Sequence, residues 1–183
     1  MGLDTKKTTL PKEVSIKLNS FIKRLLKDEE WENISKDVVE YKEYLRTTTD
    51  IMSIGLPKGI QGIEQYTKEL QIHGLGIRLP GHVAAAILYN TCLEKYDDKI
   101  SPQIVSGMKI KVFYLTEKVG RFKSIAIPVD IEVVPQWFYD NFNVLRSAHI
   151  KRLVDKPLQN IIKAIGYMVP TKQSMFVDSI LEF

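Results

Sequence analysis

The side chains in this sequence that could do covalent or metal chemistry are few: His73, His82 and His149, the single cysteine Cys92, and 22 acids. The histidines do not stand at metal-ligand spacing, and Cys92 has none of them nearby in the chain. His149 lies one turn from Leu145 and Leu153, which predicts a structural histidine. Cys92 follows Leu88 and Tyr89 by four and three positions, so a buried helix face and an inert thiol are expected. The acids cluster around a predicted helix at 31–45, without the strand context that a two-metal phosphoryl-transfer site needs. Gly74-Leu75-Gly76 lacks the preceding strand and third glycine of a dinucleotide loop, and no GxxxxGK[ST] phosphate loop occurs. These residues predict no active site.

Binding chemistry is better represented. The 183 residues include 26 Lys and Arg, for a net charge of +4. Residues 1–100 hold 15 basic and 15 acidic side chains, whereas residues 101–183 hold 11 and 7, so the second half carries the whole excess. Such asymmetry points to an anionic partner, and on composition alone a solvated basic surface explains it equally well. Lys58 and Arg78 each stand in a glycine-rich loop. Glycine lets backbone N–H groups approach phosphate oxygens closely, while the cation supplies charge. Arg121 and Lys123 stand at a turn, and Lys151, Arg152 and Lys156 follow late in the chain. Singly, each is an ordinary solvated side chain. Spread over separate loops and helix ends, they suit a curved surface that tracks a nucleic-acid backbone. They offer little of the Asn, Gln and Arg set that a major-groove reading helix presents, so shape and charge recognition is expected.

The elements that must carry these groups follow from periodicity. Thr9 and Pro11 signal a helix start, and Val14, Leu18, Phe21, Ile22 and Leu25 repeat with helical period. Trp31, Ile34, Val38, Tyr41 and Leu45 predict a second helix, antiparallel to the first across Asp28-Glu29-Glu30, with its charges as solvated faces. Residues 50–62 contain Gly55, Pro57, Gly59 and Gly62, which predicts a loop with no regular element. A short helix is expected over 63–70, and another after His82, where Ala84-Ala85-Ala86 permits close packing. Met108–Leu115 and Ser124–Val129 read as strands around a turn at Gly120. After Pro135 one helix is expected to about Val154, and a further one after Pro157. The chain shows no internal repeat, no membrane-spanning apolar run and no signal-peptide pattern at its start, so a non-exported protein without a membrane partner is expected. Its closing stretch, 173–183, is apolar but too short for a core element, and fits a pocket on its own body or on another protein.

Together these motifs resemble the C-terminal thumb domain of a family B DNA polymerase of the T-even bacteriophage type, over essentially the whole chain. Gly2-Leu3-Asp4 and Thr8-Thr9-Leu10-Pro11 resemble the exit from the palm into the first thumb helix. Ser53-Ile54-Gly55 through Tyr66 resembles the duplex-facing loop and short helix; Pro80, His82 and Tyr89-Asn90 resemble the helix after the second loop. Ser101 to Gly107 matches the β portion, and Lys156-Pro157-Leu158 a Lys-Pro-Leu turn. The closing Ile180-Leu181-Glu182-Phe183 resembles the family's clamp-binding tail.

The resemblance implies an α+β fold, mainly helical, with an N-terminal helical hairpin and a small antiparallel β portion. It implies a thumb over residues 1–172 and a tail over 173–183. Lys58, Arg78, His82, Lys123, Arg152 and Lys156 would contact duplex phosphates, and Ile180, Leu181 and Phe183 would engage a sliding clamp. The glycine and proline content around Lys58 departs from a family loop rich in Ser and Asn, and the tail has about two extra residues before its closing motif. The implied partners are primer–template duplex DNA, the clamp and the palm and exonuclease portion of the polymerase. The catalytic aspartates and the magnesium they bind would lie in the palm, so this chain would hold no cofactor and would not polymerise alone. The implied setting is the host-cell cytoplasm. An excised domain and a split-gene product both fit a start near the palm–thumb junction. The alternative reading is a stand-alone adaptor that joins nucleic acid to a clamp; a small nuclease is disfavoured by the missing acid cluster.

Overall fold

The computed structural model describes residues 10–73 and 77–171, and has an α+β fold. The described residues divide into two compact units, a helical one (10–54 and 146–171) and a sheet-centred one (55–73 and 77–145).

In the helical unit, α1 (Lys12–Leu25) and α2 (Trp31–Thr47) form the expected hairpin. Helix α1 starts one residue after Pro11, whose carbonyl accepts the first i+4 bond from Ser15 at 3.0 Å. Its stripe Val14, Leu18, Phe21 and Ile22 is buried, as are Ile34, Val38 and Leu45 of α2. Asp28, with φ at 59°, reverses the chain between them. Two of the acids on these part-exposed faces are ion-paired. The Arg24 guanidinium holds Glu29 through two bonds, 2.8 and 2.5 Å, and also pairs with Asp37. One arginine thus ties the turn to both helices.

The chain returns to this unit at Arg146 and runs in continuous helical backbone to Ile165, as α6 (Arg146–Ile150), a π turn (Lys151–Asp155), α7 (Lys156–Ile162) and a 3₁₀ turn (Lys163–Ile165). The expected break at Pro157 is absent. Proline has no N–H to give the carbonyl four residues back, and its ring collides with that carbonyl in a regular α-helix. The wider turn accommodates it: the Lys156 N–H donates to Lys151, five residues back.

In the sheet unit, β1 (Leu56–Gly59), β2 (Lys109–Val119) and β3 (Phe122–Pro128) form an antiparallel sheet in that order. The β2–β3 hairpin turns at Gly120, as expected. Strand β1 overturns the prediction that 50–62 forms no regular element; a 3₁₀ turn at Ile51–Ile54 also precedes it, in the helical unit. Two properties let a Gly/Pro stretch pair here. It is an edge strand, where the missing N–H of Pro57 is tolerated. Gly55 also lies so close to β2 that a Cβ there would sit 2.6 Å from Lys111 Cβ and 2.7 Å from Phe113 Cζ.

Both faces of the sheet are covered. Val112 and Ala126 pair across one face, Phe113 and Ile125 across the other, and all four are buried. Helix α4 (Gly81–Lys95) packs chiefly on β3, with Ala85 and Ala86 fully buried as the small-residue stretch predicted. Helix α3 (Ile63–His73) runs three residues further than expected. The helix expected from Pro135 to Val154 is interrupted: α5 covers only Gln136–Asn141. Extended chain follows, where Val144 bridges Leu115 and the Leu145 N–H donates to Tyr114 at 2.8 Å. Phe142 is pulled into the aromatic core with Phe138 and Trp137, and packing outweighs helix period there.

Candidate nucleic-acid interface

Four of the predicted phosphate-contacting residues belong to the sheet unit. Lys58 is exposed on the edge strand β1. His82 lies in the first turn of α4, half-buried, and its imidazole is held below its ordinary pKa by burial and then by the charge of Lys58. Near neutral pH it therefore contributes a hydrogen-bonding imidazole rather than a cation. Arg78 is exposed on the segment leading into α4, and Lys123 is exposed on β3.

The segment carrying Arg78 is anchored by the hairpin. The Arg121 guanidinium donates to the carbonyl of Ile77, the residue before Arg78. Arg121 stands with Lys123 among the cations at the turn, and the fold engages its guanidinium with a main-chain carbonyl. The six residues from Ile77, held by Arg121, to His82, whose imidazole feels the charge of Lys58, include Arg78. A backbone grip needs cations whose main chain is fixed in this way, because each loose side chain costs entropy when it is ordered.

The fold also adds a cation that sequence reasoning missed. Lys109 is exposed directly opposite Gly59, next to Lys58 in β1. The alternation Lys109-Ile110-Lys111 in a predicted strand was the available signal, since Ile110 is fully buried between two lysines.

The remaining two, Arg152 and Lys156, are exposed in the helical unit, on the π turn and at the start of α7. The π turn alters their angular relation from that of a regular i, i+4 pair. Ile180, Leu181 and Phe183, the residues expected to engage a clamp, lie outside the described residues, as do Gly2 to Asp4 and Gly74 to Gly76. The chain leading toward the tail is fastened to α2. Tyr167 stacks on Trp31 with ring centroids 5.2 Å apart, and the Lys42 ammonium donates to the Pro170 carbonyl at 2.9 Å.

The groups that could have signalled catalysis take structural places. His149 is fully buried, and its Nδ1 lies 2.8 Å from the Ile54 carbonyl, so the Nδ1–H donates. Burial holds its pKa down at about 4. Cys92 is buried on α4, as expected, and burial pushes its thiol up to about 11, which keeps it protonated and unreactive. Among the described residues no three His, Cys, Asp or Glu side chains gather closely enough to hold a metal ion. No described helix is long and apolar enough to cross a membrane. No protein-family model matches the chain, and no curated protein matches it.

Proposed function

We propose that this chain is the thumb part of a family B DNA polymerase, gripping primer–template duplex through its phosphate backbone and tethered to a sliding clamp by its C-terminal tail. The observation that carries the reading is the anchoring of the segment before Arg78 by Arg121, in the same unit as the exposed Lys58 and Lys123. Lys123, Arg152 and Lys156 supply further exposed charge. The order of motifs along the sequence supports the polymerase assignment within the wider class of backbone-binding domains. Catalysis then belongs to a palm on another part of the enzyme, with its magnesium, and the thumb raises processivity by keeping duplex and clamp at high effective concentration.

Duplex affinity measured by fluorescence anisotropy across a salt series tests the grip. Lys123→Ala and Lys156→Ala are each expected to weaken binding to all duplex sequences alike and to flatten the log–log salt slope by about 0.9 per lost phosphate contact. Salt slopes equal to that of the unaltered chain would remove these residues from the interface. Deleting Ile180 to Phe183 is expected to abolish clamp binding in a pull-down while leaving duplex affinity intact. Co-purification with a chain bearing palm and exonuclease domains supports the polymerase reading; its failure alongside intact duplex and clamp binding favours a stand-alone adaptor.

A further inference from the structure

The helical unit contains a pocket of about 280 Å³ between α2 and the helix that begins at Arg146. Val39 and Ile150 give it an apolar wall, while Lys42, Arg46, Ser147, Lys151 and Asp155 bring polar groups to it. Its two sides are clipped together by two side chains. Arg146 Nη1 donates to the Leu45 carbonyl at 3.2 Å, and the Lys42 ammonium pairs with the Asp155 carboxylate at 2.7 Å. A pocket braced in this way spends little of its binding energy on ordering.

The charges decide what it can hold. Asp155 is matched by Lys42, and Arg46 shares its Nη1 with Glu43 at 2.5 Å, leaving the rest of its guanidinium fork. Lys151 is exposed and forms no ion pair among the described residues. The Ser147 hydroxyl adds a neutral donor. The lining, which also includes Pro170 and Thr171, thus offers an ammonium, part of a guanidinium and a hydroxyl, with a net positive charge and its one carboxylate, Asp155, paired with Lys42. Donors of three kinds on two walls suit a tetrahedral oxyanion with several acceptor oxygens better than a planar carboxylate. The volume lies at the lower limit for small-molecule sites, enough for one such group with a short ester substituent against Val39 and Ile150, not a whole nucleotide.

We infer that this pocket is a phosphate-binding subsite, with Arg46 and Lys151 countering the charge and Ser147 donating its hydroxyl. The group could come from a nucleic-acid phosphodiester or from a small free phosphomonoester, which share this chemistry. The inference does not depend on the duplex grip, because neither Arg152 nor Lys156 lines the pocket.

Amide NMR of the full chain, titrated separately with inorganic phosphate, with glycerol 3-phosphate and with a short DNA duplex bearing 5′-hydroxyl ends, tests it. Saturable shifts at Ser147 and Lys151 with inorganic phosphate are expected, and Lys151→Gln should weaken that binding at least fivefold. Arg46→Gln provides a second, independent loss on the opposite wall. Duplex that moves the same amides in competition with phosphate identifies the diester as the source. Duplex without effect on them, with glycerol 3-phosphate binding tighter than inorganic phosphate, identifies the monoester. Shifts that fail to saturate, or that are unchanged in both variants, overturn the subsite whatever the duplex does elsewhere.

Discussion

The two units of this molecule keep their shape by different means. The helical unit is held by repeated apolar stripes, Val14 to Ile22 on α1 and Ile34 to Leu45 on α2, around a neutral buried His149. The sheet unit has its own apolar core and adds to it single side chains that satisfy backbone groups. Asn90 gives and receives a hydrogen bond with Ile104, at 2.8 and 2.9 Å, in place of a neighbouring strand. The Asp98 carboxylate accepts from the Ile100 and Ser101 N–H groups and from the Trp137 indole. Glu64 likewise accepts from the Ser106 N–H at 2.9 Å and from its hydroxyl. A stripe tolerates a changed methyl group; a lone contact of this kind has no substitute. The difference teaches that the sheet unit should fail at isolated positions, whereas the helical unit should weaken by degrees.

The largest expected effect is at Gly55. A methyl group there would meet Lys111 Cβ and Phe113 Cζ inside contact distance. Neither neighbour can swing away, since one is a Cβ fixed to the backbone and the other a ring in the core. Gly55→Ala should cost about 2–3 kcal/mol by overpacking. In the helical unit, Ile22→Val should cost about 1 kcal/mol, the ordinary loss of one buried methylene. Urea unfolding of both variants checks the contrast, and comparable losses would break it.

The units should also part company in acid. The folded state holds His149 neutral, with a pKa of about 4 against an ordinary 6.5, because burial disfavours the charged ring. The unfolded chain binds the proton between those values, so this contribution is complete above pH 6.5 and drains away as pH falls toward 4. At pH 5 the helical unit should have lost about 2 kcal/mol. Asp98 behaves differently. Burial opposes its charge, but the hydrogen bonds from Ser101, Trp137 and Ile100 outweigh that and hold its pKa at about 2, against an ordinary 3.8. Its contribution is present above pH 3.8 and lost only below. Trp31 lies in the helical unit and Trp137 in the sheet unit. With both as 5-fluorotryptophan, the ¹⁹F signal of Trp31 should broaden or shift between pH 6.5 and 4, ahead of that of Trp137. Coincident transitions would mean that the two units unfold as one.

The same contrast explains what could be read in advance. Both hairpin helices, the buried faces of Cys92 and His149 and the β2–β3 hairpin were legible, because each is written as a period or a turn residue. Strand β1 was not. Its Gly55-Leu56-Pro57-Lys58-Gly59 reads as a breaker cluster, and it pairs only because β2, some fifty residues later, supplies the partner and the close approach. The end of α5 was equally hidden, since Phe142 follows an aromatic core that local period does not encode. For the candidate interface, exposed cations could be named from loops and turns. The role of Arg121 could not, because its acceptor, the Ile77 carbonyl, is far away in sequence.

The smallest expected effect sharpens the comparison from within β1 itself. Gly59 closes the strand opposite Lys109, and a Cβ there meets nothing within 4 Å. Its φ does not lie in the left-handed region, so alanine fits the backbone without strain. Gly59→Ala should then stabilise the sheet unit by about 0.5 kcal/mol, chiefly by reducing the freedom of the unfolded chain. The same replacement four residues apart is thus expected to have opposite signs, a steric clash at Gly55 and a small entropic gain at Gly59. If thermal unfolding finds both replacements neutral, β1 is not seated on β2 in solution. The fixed backbone on which Lys58 stands would then be lost with it.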